Sequence, residues 1–117
     1  MKHTTTLKKN REFQLVYKKG RIMGAKHITV FVLPNSKAIN RLGVSASKKV
    51  GGAVVRNKAR RRLKEAWRLL EADIQKGHDI VLLPRASIAE ADFAEIKSGL
   101  RQALRKHGIL RQTEGST

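Results

Sequence analysis

The chain has 117 residues, a net charge of +17 at pH 7 and no cysteine. A chain of this length forms a single domain with a modest core, and the absence of cysteine excludes disulfides and cysteine-ligated zinc. No segment reaches the roughly 18 apolar residues of a membrane span, and the N-terminus lacks the apolar region of a signal peptide. We therefore expect a cytoplasmic protein with no membrane partner.

The excess positive charge lies entirely in the first half of the sequence. Residues 1–64 contain 18 Lys and Arg residues and a single acid, Glu12, whereas residues 65–117 contain eight bases and eight acids. A compact domain with this asymmetry has one strongly positive surface, which predicts a polyanionic partner. A surface that served solubility alone would mix both signs. Nucleic acid is therefore favoured over an anionic membrane.

The first predicted element is a short helix that follows a flexible tail at residues 1–6. Asn10 is a suitable N-cap, Arg11–Lys18 forms the helix body, and Gly20 is a suitable end. An i, i+3, i+4 spacing places three apolar side chains on one face of this helix: Phe13, Val16 and Tyr17.

Three strands are predicted after the first helix. Arg21–Met23 is a weak candidate, whereas His27–Leu33 is rich in β-branched and aromatic residues and ends at Pro34. Arg41–Ser47 alternates between apolar and small polar residues, and it leads directly into a basic segment. Residues 34–40 between the two stronger strands are expected to form a surface turn.

A long helix is predicted to begin within Ala53–Asn57 and to extend to about Gln75, before Gly77. Its apolar side chains recur at helical spacing and predict one buried stripe. This stripe contains Ala59, Leu63, Ala66, Trp67, Leu70 and Ile74.

A buried strand and a last helix complete the predicted domain. His78–Leu83 reads as the strand, and Asp92 with Glu95 forms a capping box at the start of a helix that Gly108 ends. Residues 109–117 are expected to form a frayed tail. The order helix, three strands, helix, strand, helix predicts an α+β domain over residues 1–117, with helices packed on a mixed four-stranded sheet.

The segment Lys48–Lys64 contains eight basic residues and no acid. At about 100° per residue, its helical part presents a polar arc opposite the apolar stripe, formed by Asn57, Arg61, Lys64 and Arg68. Arg60 lies at the border of the two faces, and Lys58 and Arg62 project elsewhere, towards Glu65. Ideal helix phase brings Arg56 near the stripe, so the helix either begins after this residue or buries its stem.

This basic segment is predicted to grip a nucleic-acid backbone. Arginine binds phosphate oxygens in bidentate fashion, and Gly51 and Gly52 allow close backbone approach to a phosphate beside a positively polarised helix end. The candidate RNA-binding residues are Lys48, Lys49, Arg56, Asn57, Lys58, Arg60, Arg61, Lys64 and Arg68.

A second candidate site is aromatic. Phe13, Tyr17 and Phe31 would line a groove if the first helix packs beside the strand His27–Leu33. Aromatic rings beside basic residues hold single-stranded nucleic acid, and the flanking bases here are Lys8, Lys9 and Arg11. The alternative interpretation is ordinary core packing, which composition alone favours.

No catalytic motif accompanies these two surfaces. The carboxylates are dispersed over separate elements, and His3, His27, His78 and His107 lack metal-ligand spacing. We therefore predict neither a catalytic residue nor a metal site in this chain. Small-molecule substrates are not expected.

The segment RLGVSASKKVGGAVVRNKARRRLKEAWR, residues 41–68, closely resembles the protein subunit of bacterial ribonuclease P. It contains the family's Arg-Asn-Arg signature region in residues 56–61. The blocks LKKNREFQLVYKKG at residues 7–20 and HDIVLLPR at residues 78–85 also match. The resemblance covers about residues 7–106.

The resemblance implies that a catalytic RNA performs the chemistry. That RNA, with magnesium held mainly by the RNA, hydrolyses precursor tRNA to release the 5′ leader and form the mature 5′ end. The basic helix would bind the catalytic RNA, and Phe13, Tyr17 and Phe31 fall at the family's leader-binding positions. The family also implies a left-handed crossover through the basic helix, whereas general rules favour a right-handed one.

Two other classes of protein share some of these features. A structural RNA-binding protein, such as a ribosomal component, would have a similar basic helix but would not need a single-strand cleft. A DNA-binding regulator would need a dimer surface and a recognition helix, and no helix-turn-helix spacing is present.

Overall fold

The computed structural model describes residues 1–111 of the chain. These residues form three α-helices and five strands, joined by turns and two short 3-10 helices at Glu71–Asp73 and Ala86–Glu90. In chain order the main elements are β1 (Thr4–Thr6), α1 (Asn10–Lys19), β2 (Arg21–Ala25), β3 (Ile28–Pro34), β4 (Asn40–Val44), α2 (Ala53–Leu70), β5 (His78–Pro84) and α3 (Phe93–Lys106).

The strands form one mixed sheet in the order β1-β4-β5-β3-β2. β4 is parallel to both β1 and β5, whereas β3 is antiparallel to β5 and β2. Because β4 and β5 are parallel neighbours, α2 crosses over between them. The α+β class and the mixed sheet predicted from the sequence are confirmed. The left hand of the crossover stays a prediction from the resemblance.

Strand alternation gives the sheet two different faces. On β3, Ile28, Val30 and Val32 join the main core with α2 and α3, because successive side chains of a strand point to opposite faces. Phe31 and Leu33 lie on the other face, in a smaller cluster with residues of α1. The main core includes the fully buried Trp67 of α2. Within residues 1–111 the sheet therefore separates a helical layer, formed by α2 and α3, from a face that carries α1 alone.

The prediction of a flexible tail at residues 1–6 is wrong, and the sheet has a fifth strand. The β-branched run Thr4–Thr6 pairs with β4. The Thr4 hydroxyl donates to Oε2 of Glu71 at 2.5 Å and accepts from Nε1 of Trp67 at 3.0 Å. Burial raises the pKa of Glu71, but bonds from Thr4 and the Lys2 and His3 amides outweigh it and lower the pKa overall. These partners are distant in sequence, so local patterns did not reveal them.

Several predicted boundaries also shift. Lys9, and not Asn10, is the N-cap of α1, and α2 ends at Leu70 instead of about Gln75 because Glu71–Asp73 tightens into a 3-10 turn. The Asp92 capping box of α3 is confirmed, with Asp92 accepting from the Glu95 amide at 2.8 Å.

The predicted tail at residues 109–117 divides into two parts. Ile109 is buried, and Leu110 bridges to Ile74, so the chain remains packed after α3. The rest of that predicted tail, residues 112–117, lies outside the described residues. No helix within residues 1–111 has the length and apolar character needed to cross a membrane.

Candidate nucleic-acid interfaces

The N-terminus of α2 is open to solvent. Gly52 is its N-cap, no side chain of residues 1–111 caps the first turn, and that turn contains no acid. Unpaired amides at a helix N-terminus attract anions, and Lys48 and Lys49 are exposed just before them. Gly51 has φ +148°, and a Cβ there would lie 3.0 Å from the Val55 side chain. This turn therefore requires glycine.

The polar arc predicted on α2 exists as one surface, which we call the ridge. Its residues line a single shallow depression: Asn57, Arg60, Arg61, Lys64 and Arg68, with Glu65 and Met1 at its edge. Arg60 was predicted to lie at a border, but its Nη1 donates to Oδ1 of Asn57 at 2.8 Å and so lies on the ridge. The ridge faces away from the sheet, because Ala59, Leu63 and Ala66 are buried on the opposite side of α2.

Glu65 pairs with a different base from the one expected. The sequence predicted Lys58 and Arg62 as its neighbours, but Nε of Arg68 donates to both Glu65 oxygens at 3.0 and 3.1 Å. The hydrogen bond from Arg68 lowers the pKa of Glu65. Arg62 instead donates to the carbonyl of Ala91 at 3.1 Å. Arg68 of the ridge is therefore partly neutralised within the protein.

Arg56 lies inside α2, which begins three residues before it at Ala53. The alternative that the helix starts after Arg56 is excluded. The side chain is half-buried, and its Nε is buried without a hydrogen-bond partner among the described residues. Arg56 therefore has its stem packed against the domain, unlike the exposed Arg61 and Lys64.

The three predicted cleft aromatics come together on the α1 side of the sheet. Tyr17 and Phe31 are in edge-to-face contact, with ring centroids 5.1 Å apart and planes at 75°. Phe13 lies against β4, where a Cβ at Gly43 would overlap its ring. All three rings are half-buried around Val16 and Val81. They form an apolar floor, which we call the cleft, with ring surface still open to solvent.

The bases predicted to flank the cleft lie at the N-terminus of α1. Lys8, Lys9 and Arg11 are exposed. The Lys9 amide donates to Oε1 of Glu12 at 3.0 Å, and this bond is the main cause that lowers the pKa of Glu12. Glu12 thus accepts hydrogen bonds from backbone amides at the start of α1, and the three basic side chains remain exposed to solvent.

An ion-pair network that the sequence analysis missed attaches α1 to the sheet. Arg41 on β4 binds Asp79 through Nε at 2.8 Å and Nη2 at 2.5 Å, and Nη1 binds Glu12 at 2.5 Å. Asp79 also accepts from Nδ2 of Asn35 at 2.9 Å. The hydrogen bond to Asp79 is the main cause that raises the pKa of Arg41. The sequence contained two signals of this network. Glu12 is the single acid of residues 1–64, and Asp79 lies within an apolar strand.

Arg85 is a further basic residue on the cleft side of the sheet that sequence reasoning did not select. Its Nε donates to Oγ1 of Thr29 at 3.2 Å. Its guanidinium lies across β2, where a Cβ at Gly24 would lie 2.7 Å from Nη2. The signal in the sequence was an arginine directly after a buried strand, on the same face as Leu83 and Phe31.

The cleft does not offer a magnesium site. Within residues 1–111 no group of three or more His, Asp or Glu side chains is placed to hold a metal ion. The two carboxylates beside the cleft, Glu12 and Asp79, are both bound to Arg41. A cation would have to displace this guanidinium, so these two carboxylates do not fit the metal of an RNA-cleaving centre.

A strongly basic helix whose one acid is Glu65, an aromatic cleft and the absence of a metal-binding cluster among residues 1–111 together indicate a small RNA-binding protein of the α+β class. The family model described as Ribonuclease P matches residues 1–108. The chain therefore belongs to the ribonuclease P protein family, as a subunit of an endoribonuclease whose RNA partner is the ribonuclease P RNA.

Individual relatives agree over nearly the whole chain. The ribonuclease P protein component of Caldanaerobacter subterraneus subsp. tengcongensis is 40% identical over 110 residues, which cover 94% of this chain and 95% of the relative. That of Clostridium botulinum is 45% identical over 104 residues, covering 88% and 94%. The solved structure of the Staphylococcus aureus RNase P protein matches with a TM-score of 0.83 and 31% identity, covering 91% of this chain and 97% of that one. The Thermotoga maritima protein matches at 0.80 and 31%, covering 86% and 96%.

Proposed function

We propose that this protein binds the catalytic RNA through one side of its fold and the 5′ leader of precursor tRNA through the other. In this way it assists the endonucleolytic removal of the leader. The proposed contacts to the catalytic RNA are Lys48, Lys49, Arg56, Asn57, Lys58, Arg60, Arg61, Lys64 and Arg68. The proposed leader contacts are Lys8, Lys9, Arg11, Phe13, Tyr17 and Phe31.

One observation carries this proposal: the ridge and the cleft lie on opposite sides of the same sheet. The ridge belongs to α2, whose apolar stripe packs in the main core, whereas the cleft rings pack around α1 in the second cluster. A protein that only bound a structured RNA would need the first surface alone. Two surfaces of different chemistry, separated by a rigid sheet, suit a protein that links one RNA to another.

The chemistry of the ridge supports backbone recognition. Its exposed bases repeat at about one helical turn, near 5.4 Å, and arginine can bind phosphate through two parallel hydrogen bonds. The open N-terminus of α2 adds amide donors and partial positive charge beside Lys48 and Lys49. These contacts read charge and shape, so they suit a folded RNA.

The chemistry of the cleft supports single-strand recognition. Half-buried aromatic rings can stack on unpaired bases of any sequence, and the exposed bases of α1 can follow the phosphates. A tRNA leader is single-stranded beside the cleavage point, whereas mature tRNA lacks it. The cleft would therefore favour precursor over product.

The hydrolytic chemistry is assigned to the RNA and to magnesium held mainly by the RNA. Since Glu12 and Asp79 are occupied by Arg41, this chain's contribution is to bind and to orient. The proposal assigns no catalytic residue, no small-molecule substrate and no membrane partner to the chain, and it places the protein in the cytoplasm, where bacterial tRNA precursors are made.

The test mixes the protein with a bacterial ribonuclease P RNA and precursor tRNA at low magnesium. The expected result is faster cleavage and tighter substrate binding than with RNA alone. The protein by itself should cleave nothing. Failure to improve on RNA alone would refute the proposed function, and cleavage by the protein alone would refute the assignment of chemistry to the RNA.

A further inference from the structure

The depression of the ridge continues past the C-terminal end of α2. A second depression shares Arg68 with the ridge and includes His3 and Glu71. A third depression also includes His3 and Glu71, and it extends to Lys76 and Arg111. Because neighbouring depressions have residues in common, the three form one groove. We call the part of this groove beyond Arg68 the extension, and the proposed contacts above include none of its residues.

One wall of the extension is the segment that leads into β1, and Glu71 fixes the position of this segment. Glu71 directly follows α2 and is 7% exposed. Its Oε1 accepts from the Lys2 amide at 2.8 Å, and its Oε2 accepts from the His3 amide at 3.1 Å, in addition to the bond from Thr4. The bond to Lys2 uses a backbone group, so the exposed Lys2 side chain is not tied by it. A buried acid thus holds a basic segment beside Arg68.

The basic side chains of the extension are available to a partner. Lys2, Lys76 and Arg111 are exposed, and no ion pair among residues 1–111 includes any of them. The acid that lines the extension is Glu71, whose oxygens already accept bonds from two amides and a hydroxyl. Asp73, the next acid along the chain, lines neither depression of the extension. Positive charge therefore continues from the ridge around the end of α2.

From this continuity we infer that the extension is a further contact surface for the backbone of the catalytic RNA, which follows the ridge along α2 and then passes the end of that helix. Lys2, Lys76 and Arg111 contact phosphates there. RNA carries its charge at regular intervals along the backbone, so a groove with cations along its length suits this partner. The inference rests on the proposed function, because it needs the catalytic RNA as partner.

The chemistry of the extension disfavours the single-stranded leader as its occupant. Single-strand sites use exposed aromatic rings for stacking. Within residues 1–111, no Phe, Tyr or Trp side chain lines either depression of the extension, and nearby Trp67 is fully buried. The extension is also continuous with the ridge and not with the cleft, which lies on the other side of the sheet.

The test compares two double variants reconstituted with a bacterial ribonuclease P RNA. Lys2→Ala with Lys76→Ala removes one base from each depression of the extension. Lys19→Ala with Arg105→Ala is the control, because it removes the same charge from exposed positions in the last turns of α1 and α3. Loss of two phosphate contacts should reduce the slope of log affinity against log salt by about 1.8 units. The control should keep the wild-type slope.

Urea denaturation of the same variants separates RNA binding from a role in folding. Basic residues near a helix C-terminus can stabilise the helix dipole. If Lys2 and Lys76 did only this, their removal would lower the urea midpoint and leave the salt slope unchanged, and that result would overturn the inference. An equal fall in slope for the control would overturn it too, because the effect would then follow from net charge alone.

Crosslinking identifies which RNA occupies the extension. The chain contains no cysteine, so one introduced cysteine carries a photo-crosslinker at a known position. Ala72 is exposed and lines both depressions of the extension, and Ser98 is exposed on α3. In the reconstituted complex, labelled Ala72→Cys should crosslink to the catalytic RNA, and labelled Ser98→Cys should do so less.

Crosslinks from Ala72→Cys that form mainly with the leader, or that are no more frequent than those of the control, would also contradict the inference. Failure of the proposed function has a different signature, in which the wild-type protein does not stimulate cleavage by the RNA. The two failures are therefore distinguishable.

Discussion

Charged side chains have different roles on the two sides of the sheet, the side that carries α2 and the side that carries α1. The ridge has many bases and one acid, Glu65, which engages only Arg68. The cleft has two acids, Glu12 and Asp79, and both are committed to the single guanidinium of Arg41. The first surface keeps its charge available for a partner, whereas the second uses charge to fix the position of α1. In this basic protein, Glu12 and Asp79 pair with Arg41 and thereby attach α1 to the sheet.

The largest effect, on the free energy of unfolding, is expected from removing the ion pairs of Arg41. Arg41→Ala leaves Asp79, which is 3% exposed, without its charged partner. Breaking a buried ion pair costs about 3–5 kcal/mol, and we expect a loss of about 3 kcal/mol in the free energy of unfolding because Arg41 is partly solvated. Urea denaturation measures it. Arg85→Ala is the matched control, since Arg85 is exposed; an equal loss there would contradict a structural role for Arg41.

The second largest effect, on affinity for the catalytic RNA, is expected from removing basic side chains of the ridge. Replacing Arg60, Arg61 and Lys64 with Ala should weaken binding to the catalytic RNA. It should also reduce the slope of log affinity against log salt by about 2–3 units, as expected for three lost phosphate contacts. Stability should change little, because Arg61 and Lys64 are exposed. A salt titration of RNA binding checks this, and an unchanged slope would show that these side chains do not touch phosphate.

Substitutions in the cleft should affect the binding of precursor tRNA. Tyr17→Leu keeps an apolar side chain but removes the ring that contacts Phe31. Base stacking on an aromatic ring contributes about 1–3 kcal/mol, so affinity for leader-bearing tRNA should fall by about tenfold, with little change for mature tRNA. Leu15→Ala, at an exposed position of α1, is the control. Equal losses for precursor and mature tRNA would indicate that Tyr17 acts only in packing.

The smallest effect is expected at Glu65. Glu65→Gln removes the charge that Arg68 binds, so one more ridge arginine becomes available to phosphate. The salt slope should steepen by up to about 0.9 unit, and RNA affinity should rise a few-fold. Filter binding at several salt concentrations measures both. Weaker binding in the variant would mean that Glu65 orients Arg68 for RNA instead of competing with it.

The ridge could be predicted from sequence because its information is local. A helix of known period converts the spacing of Asn57, Arg61 and Lys64 into one face, and the buried stripe on the other side provides the reference. The cleft rings were also identified, but composition alone left core packing as the favoured alternative. Their half-buried state depends on how α1 packs over β4, where Gly43 leaves room for Phe13.

The missed features share long sequence separation. Arg41 and Asp79 are 38 residues apart, and Thr4 and Glu71 are 67 apart. Neither pair has a local motif, so the strand β1 and the attachment of α1 depend on tertiary contacts that override the polar character of their sequences. The pairing of Glu65 was misassigned for a related reason, because Arg62 donates to the carbonyl of Ala91, which is 29 residues away in sequence.

A double-mutant cycle can test whether two RNAs bind opposite sides of this sheet. The ridge triple variant, Tyr17→Leu and their combination are compared for affinity of the assembled complex for precursor and mature tRNA, and for affinity of the protein for the catalytic RNA. Distant, independent sites have additive free energies. We expect the ridge triple variant to change only catalytic-RNA binding, Tyr17→Leu to change only the preference for precursor, and the combined effects to add. Coupling above about 0.5 kcal/mol, or loss of both properties in one single variant, would contradict it.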